Sequence, residues 1–211
     1  MSATRYLYLA RHGLSTPEET GLAEAGRQQA GLLGQRLRGV PLTEIVYGPL
    51  PRAAETARLV AAELAEPGSE SAPAFRVSEV AGDYIPYLPK RAELPAESAD
   101  YLLNFLGPLS TVEEVHGREL GQRALTEFTG PVEGGQDRHQ LVVTHNFLIG
   151  WVLRAAFDAP PWRWLAVNHC NAALTAIRYA PGLPASVLYC NDMSHLPAEL
   201  RWTGFPPDRR G

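Results

Sequence analysis

Apolar residues in this chain fall into short β-forming runs that alternate with stripes at helical spacing. Tyr6-Leu7-Tyr8-Leu9-Ala10, Glu44-Ile45-Val46-Tyr47 and Leu141-Val142-Val143-Thr144 are the runs, and each reads as a buried strand. Gly26, Ala30, Leu33 and Leu37 share one helical face, with Arg and Gln opposite, and predict a helix over about 22–38 packed on a sheet. Gly48-Pro49-Leu50-Pro51 turns the chain, and a second helix opens at Pro51, whose fixed φ suits the first helical position. Its stripe is Ala53, Ala57, Val60 and Leu64. The segment 147–157 is apolar enough to be a third helix against the same sheet.

The middle of the chain is more broken. A Pro/Gly/Ser-rich linker over 66–73 precedes an edge strand at 75–77 and then Glu79-Val80-Ala81-Gly82-Asp83. Prolines in Tyr84-Ile85-Pro86-Tyr87-Leu88-Pro89 forbid a central strand, so that stretch reads as an ordered loop. Helices follow over 96–106 and after Ser110 or Thr111, each of which has a Glu three residues on, as a capping box requires. Segments 172–180 and 186–190 flank a Pro/Gly turn and predict two joined strands. The pattern as a whole predicts an α/β three-layer sandwich. It has a mostly parallel central sheet flanked by helices, one edge hairpin, and a helical and loop excursion over about 79–125 covering a pocket. With 211 residues the expectation is one domain, 1–211.

Composition narrows the function classes. A hydrophobic share of 45% and a charged share of 20% are those of an ordinary globular protein, and a net charge of −4 supplies no footprint for nucleic acid or an anionic membrane. Any anionic substrate must then be held by a local cluster of positive charge. Cys170 and Cys190 lie in apolar segments and read as reduced, buried thiols. No apolar run approaches a membrane span or a leader, so the expected address is the cytoplasm.

Arg11-His12-Gly13 directly follows the first strand, Arg52 sits at the start of the second helix, and His145-Asn146 ends the later strand. Right-handed crossovers bring such strand ends to one edge of a parallel sheet, where open α/β folds bind ligands. Helix N-termini favour anions, and a guanidinium forks onto two phosphoryl oxygens, so the first inference is a phosphate pocket. An imidazole with one nitrogen held by a backbone carbonyl offers the other as a nucleophile; one histidine attacks while the second neutralises the transferred oxygens. The glycine after the histidine is expected to let the backbone approach the ligand closely.

These segments resemble the histidine phosphatase superfamily, also called phosphoglycerate mutase-like. The likeness is carried by Leu9-Ala10-Arg11-His12-Gly13, by Leu22-Ala23-Glu24-Ala25-Gly26-Arg27-Gln28-Gln29-Ala30, by Pro49-Leu50-Pro51-Arg52-Ala53-Ala54-Glu55-Thr56-Ala57 and by Val142-Val143-Thr144-His145-Asn146. The resemblance implies that His12 is the phosphorylated nucleophile, that Arg11, Arg52 and His145 form the phosphate pocket with Gly13 and Asn146 beside them, and that Glu79 donates the proton. Leu14-Ser15 stands where the family commonly has an acidic residue after the glycine, and Asp83 is four residues beyond Glu79.

The expected activity is therefore a phosphomonoesterase of the histidine acid phosphatase type, using neither metal nor other cofactor, on a small phosphorylated substrate or a phosphopeptide. Rival readings are a phosphoglycerate mutase with the same pocket, a non-catalytic phosphate-binding relative, and a zinc hydrolase built on His12, His145, His169 and a carboxylate. The last lacks a short-spaced ligand pair such as H-E-x-x-H. His116, His169 and His195 carry no positional argument and read as surface or hydrogen-bonding residues. In the excursion, Tyr84, Tyr87, Lys90 and Arg91 are candidates to contact the rest of the substrate.

Overall fold

Strand alternation explains why the sheet is covered on both faces. In β2 (Arg5–Arg11), Leu7 and Leu9 enter one apolar cluster while Tyr8 and Ala10 enter another on the opposite face, the period-2 signature of a strand buried on both sides. β3 (Glu44–Tyr47) and β6 (Arg138–Thr144) divide in the same way: Val46 and Val142 face one side, Ile45, Leu141 and Val143 the other. The computed structural model describes residues 1–65 and 72–204. Most of the linker expected over 66–73 therefore lies outside the described residues, as does the Pro/Arg-rich end.

The central sheet has six strands in the order β4-β3-β6-β2-β7-β8, with β4 at Ala74–Val77, β7 at Leu174–Tyr179 and β8 at Ser186–Asp192. β4, β3, β6 and β2 run parallel, whereas β7 is antiparallel to both β2 and β8. The sheet is thus mixed, parallel in its first four strands and closed by a hairpin. A separate two-stranded ladder joins β1 (Ser2–Ala3) to β5 (Val132–Glu133). One face is covered by α1 (Glu24–Leu37) and α2 (Pro51–Leu64), the other by α4 (Thr111–Phe128) and α5 (Asn146–Ala156).

Local chemistry sets the boundaries. Pro51 is the first residue of α2. Ser110 caps α4 by accepting from the Glu113 N–H at 3.2 Å, and the Glu113 carboxylate accepts from the Ser110 N–H at 2.9 Å, which chooses Ser110 over Thr111 as the cap. The helix expected over 96–106 is shorter, α3 at Ala99–Leu106, because Pro95 and Ser98 occupy a turn before it. Glu79–Ala81 forms a single 3-10 turn that ends on Gly82. The two cysteines form no disulfide, and only Cys170 is buried; Cys190 is exposed because it lies on the edge strand β8.

Candidate active site

Register brings the first residues of the site together. β2 pairs with β6 as Arg11↔Thr144, and β6 with β3 as Val143↔Tyr47. His12 and His145, the next residues on two adjacent parallel strands, therefore emerge side by side with ring centroids 5.0 Å apart. The turn after β3 leads into α2 and delivers Arg52 to the same edge. Arg11, His12, Arg52 and His145 line one cleft of about 240 Å³, with Ser15, Glu19, Asp83, Asn146, Phe147 and Asn171 also facing it.

His12 is oriented by its own chain. Its Nδ1 lies 2.7 Å from the Gly13 carbonyl, which can only accept, so the proton sits on Nδ1 and Nε2 carries the lone pair. Arg52 Nε donates to that Nε2 at 3.2 Å. The backbone is pinned from three sides. The His12 N–H donates to the Thr144 carbonyl at 3.0 Å, the Asn171 amide donates to the His12 carbonyl at 3.0 Å, and the Gly13 N–H donates to Thr56 Oγ1 at 3.0 Å. Thr56 in turn donates to the Arg52 carbonyl at 2.7 Å, so one buried hydroxyl couples the His12 turn to the helix that carries Arg52.

Burial and neighbouring cations determine the charge state. Burial, then His145 and Arg11, hold His12 well below the usual histidine range. Burial, then Arg52 and Arg11, push His145 down to about 3. Both rings are neutral near pH 7. Neither nitrogen of His145 has a hydrogen-bond partner, and its Nδ1 is 3.5 Å from Asp83 Oδ2. Arg11 donates to the His169 carbonyl at 2.6 Å, and burial lowers it to about 10. Arg52 is clamped by two carboxylates, Asp83 at 2.7 Å and Glu19 at 3.2 Å. Burial raises the Asp83 carboxyl, opposed by Arg52 and Arg11.

Two of the residues expected at the site, Glu79 and Gly13, do not line the cleft, whereas Asn146 does. Glu79 is exposed in the 3-10 turn and does not line the cleft. The turn and Gly82 redirect the chain, so Asp83 is the carboxylate that faces the histidines. Thr144 fixes this geometry by donating from its hydroxyl to the Ala81 carbonyl at 2.7 Å. Gly13 is not among the residues lining the cleft, and a Cβ there would sit 2.5 Å from the Gly26 carbonyl oxygen, so its bareness serves the close packing of α1 on the strand end. Asn146 faces the cleft, but its side chain accepts from the His169 N–H at 2.7 Å and donates to the Val167 carbonyl at 3.4 Å, which makes it a brace for the segment that holds Arg11.

Of the excursion residues, Tyr84 lines a neighbouring groove. Tyr87 instead bonds Glu93, Arg91 pairs with Asp100, and the Lys90 backbone closes a turn with Glu93. Sequence reasoning missed Glu19, Asn171 and Thr56. Only Thr56, one helical turn beyond Arg52, carried a readable signal. Among the described residues no group of three or more His, Cys, Asp or Glu could hold a metal ion, and no helix is long and apolar enough to cross a membrane.

A sequence model of the histidine phosphatase superfamily (branch 1) matches residues 7–192. The mitochondrial serine/threonine-protein phosphatase Pgam5 of Caenorhabditis briggsae is 28% identical over 207 residues, covering 96% of this chain and 68% of that protein. Among solved structures, Bacillus stearothermophilus YhfR superposes with a TM-score of 0.66 at 23% identity, over 90% of this chain and 98% of that one. A mycobacterial glucosyl-3-phosphoglycerate phosphatase does so with a TM-score of 0.59 at 20% identity, over 89% and 99%. The two superpositions speak to the fold. The cytoplasmic address expected from the sequence is overturned by the curated relative, which is designated mitochondrial.

Proposed function

The chain belongs to the histidine phosphatase superfamily (branch 1), and on that premise we propose that its cleft hydrolyses phosphomonoesters through a phosphohistidine on His12, with Asp83 as the proton donor. The observation that carries this reading is the state of His12. Its Nδ1 proton is committed to the Gly13 carbonyl, and its Nε2 lone pair faces a cleft shared with two guanidiniums.

In the first step Nε2 of His12 attacks phosphorus and the bond to the alcohol oxygen breaks. Asp83 gives that oxygen its proton, so a neutral alcohol leaves. In the second step a water attacks the phosphohistidine, its proton passes to Asp83, and the N–P bond breaks to release phosphate and restore the neutral ring. Arg11 and Arg52 take the equatorial oxygens, with Glu19 withdrawing from Arg52 as the phosphoryl group arrives. His145, neutral and unpartnered, donates to a third oxygen, and the incoming negative charge favours its protonated form.

The acid phosphatase type follows from the same charges. The first step needs Asp83 protonated and His12 neutral, and burial shifts both toward those forms. Activity therefore rises below neutrality. Residues 79–125 serve as the cap that closes the cleft, and the substrate is a phosphorylated small molecule or peptide. His12→Ala is expected to abolish hydrolysis of an aryl phosphate while leaving the circular dichroism spectrum and melting intact; near-full activity in that variant would overturn the assignment.

A further inference from the structure

Beside the cleft lies a second cavity of about 410 Å³, between the segment after the 3-10 turn and the start of α4. The two cavities adjoin, with Asp83 and Phe147 lining both. The groove leads away from His12 past Asp83, the position the alcohol half of a bound phosphomonoester must occupy if its oxygen is to be protonated there. Its size is that of small-molecule sites.

Its walls are apolar: Tyr84 and Ile85 on one side, Leu109 and Phe147 on the other. Tyr84 adds no free hydroxyl, since that group donates to the Val80 carbonyl at 2.8 Å. The walls are also fixed. A Cβ on Gly121 would sit 3.0 Å from the Pro86 side chain, so α4 lies almost in backbone contact with the 85–86 segment, and the Phe147 ring is packed against Phe105 and Trp164. The rim carries Glu113 and His116, and no lysine or arginine lines the groove among the described residues. Glu113 is held ionised by its hydrogen bonds to Ser110. A ligand portion lying here meets apolar and aromatic walls and the Glu113 carboxylate, since Asp83 is paired with Arg52.

We propose that this groove is the leaving-group subsite of the cleft and selects phosphomonoesters of an apolar or aromatic alcohol that bears no second negative charge, with Glu113 as the residue that rejects anionic alcohols. The proposal rests on the phosphatase reading of the cleft. The Glu113 charge on the rim disfavours a bisphosphate or a phosphorylated carboxylic acid by repulsion, and no lysine or arginine among the described residues lines the groove to offset it. The apolar walls gain contact area only from an alcohol with carbon surface.

The test uses four substrates on the full chain: methyl phosphate, which does not reach the groove, and phenyl phosphates bearing a meta hydroxymethyl, carboxymethyl or aminomethyl group. For the wild type, kcat/KM for the carboxymethyl ester is expected to fall about five-fold or more below the hydroxymethyl ester, the size of one like-charge contact near a protein surface. The aminomethyl ester should equal or exceed the hydroxymethyl ester. Glu113→Gln retains a side chain able to close the cap and should bring the three aryl esters together. Leu109→Ala should lower kcat/KM for the aryl esters and leave methyl phosphate unchanged.

Equal use of the three aryl esters by the wild type would overturn the proposal, as would a charge preference that survives Glu113→Gln. An equal effect of Leu109→Ala on methyl and aryl phosphates would also overturn it. Failure to hydrolyse any of the four would instead refute the phosphatase reading on which it stands.

Discussion

Replacing Asp83 by Asn removes one proton and little else. The amide oxygen can still accept from Arg52 Nη2, now 2.7 Å from Asp83 Oδ2, so the guanidinium keeps an anchor beside His12. The side chain is 36% exposed and sits in the cleft, so the substitution opens no core cavity. What is lost is proton transfer to the departing oxygen, worth about 10²- to 10⁴-fold, or about 3–5 kcal/mol of barrier. That loss should depend on the alcohol. An alkyl phosphate, whose alkoxide leaves only with a proton, is expected to lose the full factor in kcat/KM. A nitrophenyl phosphate, whose phenolate leaves unassisted, should lose less than about ten-fold. Glu79→Gln, outside the cleft, should leave both rates within about two-fold. Equal losses on the two esters for Asp83→Asn, or the alkyl-selective loss appearing in Glu79→Gln, would refute the assignment of the donor.

Two further outcomes follow from the charges at the site. Inorganic phosphate should raise the melting temperature of the wild type, and Arg52→Ala should abolish that rise and lower kcat/KM by about 10²- to 10³-fold, the size of removing one preorganised donor; differential scanning fluorimetry and steady-state kinetics read the two. His145 and His169 are pushed down to about 3, chiefly by burial, and His12 also lies well below its ordinary value, so the folded chain stays neutral at these rings while the unfolded chain takes up protons below about 6.5. Their contribution is therefore fully present above that pH. It declines by about 1.4 kcal/mol per pH unit for each ring as pH falls toward the folded values. Denaturant melts between pH 7 and 5 should show the decline, and a flat profile would contradict the neutral, buried assignment.

The elements that could be read from sequence are those whose signal is local. Pro51 opens α2 because a proline costs least at a helix start, and Ser110 with Glu113 closes a cap within four residues. The runs at 44–47 and 141–144 are apolar on both faces because both are buried between helix layers. The convergence of Arg11, His12, Arg52 and His145 was also legible, since parallel pairing carries strand ends to one edge. The choice between Glu79 and Asp83 was not legible. It depends on a single 3-10 turn and on the Thr144 hydroxyl bonding Ala81, a contact between residues far apart in the chain. Glu19 was hidden for a similar reason. It reaches Arg52 from a loop closed by the bridge between Ser15 and Leu22, in a left-handed conformation with φ of 55° that no residue pattern announces.

Alkaline quenching of the enzyme during turnover, followed by peptide mapping of the trapped phosphoryl group, measures the central step itself. The account requires a single labelled peptide containing residue 12, with a phosphoryl group that survives alkali and is lost in acid, as a phosphoramidate is. A label on His145 or His169, an acid-stable phosphoester, or turnover with no phosphoenzyme formed in wild type or in Asp83→Asn would contradict it.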